Sequence, residues 1–180
     1  MILYINACVR NESRTDRLAR ELLGKLGDYT ELKLSDENLN PLDKDSLEYR
    51  SELIAKEQFD NDMFKYARQF ATADIIVISA PFWDMSFPAI LKTYIENIYI
   101  TDLVSKYGED GRPVGLCKAS KLYYVTTAGG PYVGTYSYDY IKDLAIGAFG
   151  IKETELIYAE MLDIVGNDPE KILGEVIKKL

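Results

Sequence analysis

The sequence contains no histidine. That absence excludes a Ser-His or Cys-His nucleophile system and a zinc site of the usual histidine-bearing kind. An enzyme built on this chain draws its chemistry from a cofactor, from carboxylates or from tyrosines, of which there are 14. Tyrosine is also an ordinary half-buried residue, so that number alone assigns nothing. Cysteine is scarce: Cys8 and Cys117 stand far apart and outside any CxxC spacing. A reduced, cytoplasmic protein is the expectation from that usage. No apolar run approaches the ~18 residues of a membrane span. Residues 1–9 (MILYINACV) read straight into a strand with no basic leader, so no secretion signal is expected. The glycine signatures of nucleotide binding are missing as well: neither the Walker pattern GxxxxGKS/T nor GxGxxG occurs.

Positive charge is in the minority, with 21 Lys and Arg against 29 Asp and Glu and a net charge of −8. An acidic surface argues against nucleic acid and anionic membrane as partners. What is present is 47% apolar and 28% charged residues over 180 positions, enough for the core and solvated surface of one domain.

Strand and helix patterns alternate along the chain. Residues 2–6, 30–34, 74–79, 121–126 and 153–158 read as strands, the third as one covered on both faces. Helices are expected over 15–27, near 45–57, over 60–72, over 88–99, near 135–149 and over 168–180. Gly27 is a stop for the first, and Asp168 and Pro169 a cap and first residue for the last. A polar excursion occupies 35–59, and a long turn-rich connection occupies 100–118. No composition break marks a second domain. The pattern predicts an α/β fold: a doubly wound parallel sheet of five strands with helices on both faces.

Open parallel sheets bind ligands outside the carboxyl ends of their strands, near the switch in strand order. Three loops lie there. The first, residues 6–17 (NACVRNESRTDR), has no glycine but many donors, among them Asn11, Ser13, Arg14, Thr15 and Arg17. A helix N-terminus with free N–H groups and nearby hydroxyls suits a phosphate, and Ser13 or Thr15 would equally serve as a plain cap. The second, within 78–88 (ISAPFWDMSFP), carries the one tryptophan where a short polar turn is the norm. It would give a flat aromatic ligand an apolar, proline-stiffened wall, or else fold on its own helix or on a second copy. The third, 126–134 (TTAGGPYVG), lets backbone N–H groups come close to a ligand, or is an ordinary turn. Converging on one crevice, the three offer a phosphate cradle, an aromatic slot and a glycine amide patch. FMN has that layout.

On these segments the sequence resembles the flavodoxin-like FMN-dependent NADH-azoreductase and NAD(P)H–quinone reductase family. The match is strongest over 80–98 (APFWDMSFPAILKTYIENI), with SRTDRLAREL after strand one, TTAGGPY after strand four and KYGEDGRPVGL at 106–116 in the same order. It covers most of the chain and is loosest over 35–60. The resemblance implies the flavodoxin-like strand order 2-1-3-4-5, one FMN-binding domain over 1–180, FMN as cofactor and NADH or NADPH as co-substrate. It implies a ping-pong transfer of electrons to a quinone, azo compound or nitroaromatic, with catalysis left to the flavin and none to a side chain. Arg10, Ser13, Arg14 and Thr15 would then meet the phosphate. Pro81, Phe82, Trp83, Asp84 and Met85 would run along the ring. Thr127, Ala128, Gly129 and Gly130 would face its edge, and Tyr107 and Tyr132 would wall the substrate slot. A homodimer is implied, with the 99–107 segment at its contact.

The sequence departs from the family pattern at Asp84 for Asn, at Met85 for an aromatic and at Ala128 for Arg. An ionised Asp84 beside the flavin would oppose the charge that builds on reduction, so this residue is expected turned away or protonated. Two other classes fit parts of the pattern: a flavodoxin-type electron carrier without NAD(P)H turnover, and a flavin-free regulatory or interaction domain. The 35–60 excursion and the 100–118 connection favour a substrate pocket over a bare carrier.

Overall fold

The computed structural model describes residues 1–180. Its strands are β1 (Ile2–Asn6), β2 (Tyr29–Lys33), β3 (Ile75–Ser79), β4 (Ser105–Tyr107), β5 (Pro113–Gly115), β6 (Lys121–Thr127) and β7 (Glu153–Ala159). Five of them form one parallel sheet in the order β2-β1-β3-β6-β7. Counting only the sheet strands, this is the expected 2-1-3-4-5. The helices are α1 (Arg14–Leu26), α2 (Lys44–Ala55), α3 (Lys65–Thr72), α4 (Ala89–Ile98), α5 (Tyr138–Leu144) and α6 (Pro169–Ile177).

β1 is buried along its whole length because it lies between β2 and β3 and is covered on both faces. Alternation sends Leu3 and Ile5 to the face packed by α3, α4 and α5, with Phe70, Leu91 and Ile141. Ile2 and Tyr4 go to the other face, under Leu18 and Leu22 of α1 and Leu173 of α6. Burying each such Leu, Ile or Phe contributes roughly 1.5–3 kcal/mol before conformational entropy is subtracted.

The expected caps are in place. The Ser13 side chain accepts the Asp16 N–H at the start of α1, and Gly27 ends that helix at φ 112°. Asp168 accepts the Glu170 and Lys171 N–H groups ahead of Pro169. Some boundaries move. The helix expected over 60–72 starts as a 3-10 turn at Asp62–Phe64, capped by Asn61. The one expected near 135–149 begins at Tyr138, because 134–137 closes a turn with the Ser137 N–H on the Gly134 carbonyl. It widens into a π-turn over Ala145–Phe149 and stops at Gly150, φ 79°. Pro88 stands just before α4 rather than inside it.

The 100–118 connection holds an element the periodicity did not show. β4 and β5 pair antiparallel, and the hairpin docks on the end of the π-turn. The docking is backbone on backbone: a Cβ on Gly115 would lie 2.0 Å from the Gly150 nitrogen and the Phe149 carbonyl carbon. Strands of three residues are too short to carry a period-two signal.

Candidate functional site

The carboxyl ends of β1, β3 and β6 open into one cavity of about 300 Å³. It sits where the chain reverses direction across the sheet, with β2 on one side of β1 and β3 on the other. Three loops meet there, each held by extending the sheet's own hydrogen bonds. The Ala7 N–H donates to the Ser79 carbonyl at 2.9 Å, the Ala80 N–H to Val125 at 3.0 Å and the Phe82 N–H to Thr127 at 3.1 Å.

The first loop runs into the first turn of α1. Thr15 is buried, and its hydroxyl shares a 2.6 Å hydrogen bond with that of Thr127, tying α1 to the end of β6. From Val9 through Thr15 no backbone N–H donates within the protein. This run of free donors borders the cavity, at the positive end of a helix 13 residues long. Arg14 reaches across to the segment after β7, with Nη1 donating to the Leu162 carbonyl and Nη2 to Asp163 Oδ1 at 2.7 Å. Cys8 lies on the cavity floor. Burial pushes its thiol up, so it is a neutral thiol rather than a nucleophile.

The second loop supplies Pro81, Phe82 and Trp83 as the wall. Trp83 and Ser86 exchange both backbone hydrogen bonds around Asp84 and Met85, which have φ of 50° and 66°. A two-residue turn with both φ positive favours Asn and Asp at its first position. Asp84, where the sequence departs from the family's Asn, is therefore a turn residue. Asp84 is exposed and is not among the residues that line the cavity. The Arg10 guanidinium lies 5.6 Å from the centre of the Trp83 ring and finds no carboxylate partner.

In the third loop Thr127, Ala128 and Gly129 border the cavity. Gly129 is required by its neighbour: a Cβ there would sit 2.4 Å from Asp163 Oδ2, and its carbonyl accepts the Asp163 N–H. Tyr132 stands behind the wall. Its ring meets Phe82 edge-on at 5.0 Å, and its hydroxyl pairs with that of buried Ser137 at 2.7 Å.

The structure thus brings Arg10, Ser13, Arg14, Thr15, Pro81, Phe82, Trp83, Thr127, Ala128 and Gly129 to one cavity. It does not bring Asp84, Met85 or Gly130 to that lining, and Tyr107 stands 74% exposed on β4. Five lining residues escaped the sequence reading: Cys8, Val9, Glu12, Leu162 and Asp163. The first three lie inside the loop already singled out. The last two follow β7, and the signal for them was topological, since in a parallel sheet that loop emerges at the same edge.

An FMN-like ligand fits this donor set. Free amides, Ser13, Thr15 and two arginines suit a phosphate, and Phe82 and Trp83 suit a flat ring. A model of the flavodoxin-like fold matches residues 1–180. The FMN-dependent NADH:quinone oxidoreductase 2 of Clostridium acetobutylicum is 38% identical over 193 residues, covering 99% of this chain and 94% of the relative. The FMN-dependent NADH:quinone oxidoreductase of Coprothermobacter proteolyticus is 33% identical over 195 residues, with the same coverage of 99% and 94%. Among solved structures, an azoreductase from Bacillus anthracis superposes with a TM-score of 0.82 at 24% identity, covering 99% of this chain and 95% of that one. An FMN-dependent NADH-azoreductase from the same species, in complex with FMN, gives 0.80 at 23% identity and covers 99% and 94%.

Proposed function

The chain belongs to the flavodoxin-like fold family, and from that premise we propose that it is an FMN-dependent oxidoreductase carrying electrons from NAD(P)H to a quinone or azo acceptor. The observation that carries the reading is convergence: three loops far apart in sequence place free amides, arginines and aromatic rings around one cavity at the switch point. Curated relatives that match nearly the whole chain and bear that activity in their names support it.

Bound FMN would supply the two-electron chemistry between NAD(P)H and the acceptor. The chain's own part is to hold and orient. The first turn of α1, with Ser13, Thr15 and Arg14, would take the phosphate. Phe82 and Trp83, fixed by the Phe82 N–H on Thr127 and the Trp83–Ser86 turn, would form a rigid apolar side for the ring and keep water from it. Thr127, Ala128 and Gly129 would present backbone groups to the opposite edge. Tyr132 would back Phe82.

The reading extends to one FMN-binding domain over 1–180, to a cytoplasmic location and to a homodimer. No helix is long and apolar enough to cross a membrane. Exposed Tyr99 and Tyr107 flank the segment expected at the contact between copies. The test is direct. Purified protein is titrated with FMN while Trp83 emission is followed, then assayed for NADH and NADPH oxidation with a quinone. Saturable quenching and turnover are expected. Flavin binding without turnover leaves an electron carrier, and no binding leaves a flavin-free domain.

A further inference from the structure

The first loop of the site has no glycine and no proline, and from Val9 through Thr15 its N–H groups are unbonded. Something outside the loop has to fix its shape. The last tethered amide before the free run is that of Cys8, and it donates to Asn6 Oδ1 at 2.9 Å. Asn6, at the end of β1, is 2% exposed. Its Oδ1 also accepts the Ser79 hydroxyl at 3.3 Å, and its Nδ2 donates to Asp16 Oδ1 at 3.0 Å and to Glu31 Oε1 at 2.9 Å. Both Nδ2 hydrogens go to carboxylates and Oδ1 takes the Cys8 N–H, so the amide has one orientation.

Asp16 is in turn held from below. The Tyr4 hydroxyl, wholly buried, donates to its Oδ1 at 2.5 Å, and its oxygen lies 2.8 Å from Ser79 Oγ, whose single hydrogen is shared between Tyr4 and Asn6 Oδ1. Arg20 Nε takes Asp16 Oδ2 at 3.0 Å, and its Nη2 takes Glu31 at 2.8 Å. One network therefore joins β1, β2, β3 and the first turn of α1, and its upper end is the amide where the loop begins. Half-satisfied buried networks are costly, whereas fully satisfied ones fix a single geometry.

We propose that Tyr4, Asn6 and Asp16 are positioning residues for the phosphate end of the flavin site. Through Asn6 they hold the Cys8 amide, and so set the direction of the free N–H groups that follow. The inference rests on the FMN reading above. It predicts a loss confined to the phosphate, because Phe82 and Trp83 belong to a different loop.

The experiment compares FMN with riboflavin, which lacks the phosphate, on the full-length wild type, Tyr4→Phe and Asp16→Asn. Tyr4→Phe keeps the ring in the core and removes only the hydroxyl. Affinities are read from flavin fluorescence, and circular dichroism checks the fold of each flavin-free variant. Wild type is expected to prefer FMN. Both variants should weaken FMN binding roughly tenfold, the scale of one hydrogen bond to a charged group, with riboflavin affinity kept. If wild type prefers FMN and the variants keep that preference, the FMN reading stands and the positioning role falls. If both affinities drop together, the network is merely structural and the proposal is wrong. If wild type shows no preference for FMN, the phosphate site itself is refuted and the inference with it.

Discussion

Arg14, the first residue of α1, and Asp163, in the segment after β7, form an ion pair of 2.7 Å across the rim of the cavity. The pair joins two ends of the site far apart in sequence, and it engages a guanidinium that the proposed reading gives to the phosphate. Asp163 at the same time lies against Gly129, where no side chain could be added. The carboxylate is thus a competitor for Arg14 built into the rim.

The Arg14–Asp163 pair is 36% and 65% exposed, so breaking it costs at most about 1 kcal/mol. Asp163→Asn is therefore expected to leave the thermal midpoint nearly unchanged while tightening FMN binding by roughly fivefold, the equivalent of that 1 kcal/mol. Arg14→Ala is expected to weaken FMN binding and to flatten its salt dependence. Titrations at low and high salt check both. An Asp163→Asn protein with wild-type affinity would show that Arg14 is not shared.

Trp83→Ala removes one face of the wall and the partner of Arg10. Stacking of a flat heterocycle on an aromatic side chain contributes about 1–3 kcal/mol. FMN affinity should fall at least fivefold, with a shift in the bound flavin's absorption bands. Flavin absorption in the variant, where no tryptophan emission is left, is the readout. Unchanged affinity and bands would take Trp83 out of the site.

Gly115→Ala should be among the most damaging single-methyl additions in the chain. The new Cβ would meet the backbone at Phe149 and Gly150, which cannot turn aside as a side chain can. A loss of at least ~2 kcal/mol is expected. Urea unfolding measures it, and the same change at Gly174, where nothing lies within 4 Å, serves as the control.

Asp74 takes Lys118 Nζ at 2.6 Å and the Met1 amino group, and its carboxyl is lowered to about 2, chiefly by the Lys118 hydrogen bond. A carboxyl held below its unfolded value stabilises the fold above that value, near pH 4. The contribution is lost as pH falls from there toward about 2. Asp74→Asn should therefore flatten the acid limb of stability between those limits and leave its neutral-to-basic limb in shape. Thermal midpoints at pH 2, 3, 4 and 7 decide it.

The sheet was readable because its strands are short apolar runs such as DIIVIS, which only a two-sided burial explains. The caps at Ser13 and Asp168 were readable because capping is local chemistry. The β4–β5 hairpin was not, since its stability lies in the contact between Gly115 and Gly150, 35 positions apart, and not in its own residues. The site was legible as far as its loops. Asp84 shows the limit: its residue type alone did not reveal the two-residue turn in which it sits, with φ of 50°. Asp163 shows the other side, a polar residue in an unremarked loop that only topology brings to Arg14. Tyr4 and Asn6 read as strand residues and gave no sign that their polar ends meet Asp16.

The strand order also governs how the sheet can be assembled as the chain emerges. β1 comes first and is internal, β2 joins one side of it, and β3, β6 and β7 then extend the other side in sequence. Each new strand finds a neighbour already in place, and none has to be inserted between two others. The network beneath the first loop is available once β3 has docked, since its partners lie on β1, β2, β3 and α1. The rim residue Asp163 arrives only after β7. Of the residues that line the cavity, Leu162 and Asp163 at its rim are therefore the last to be synthesised.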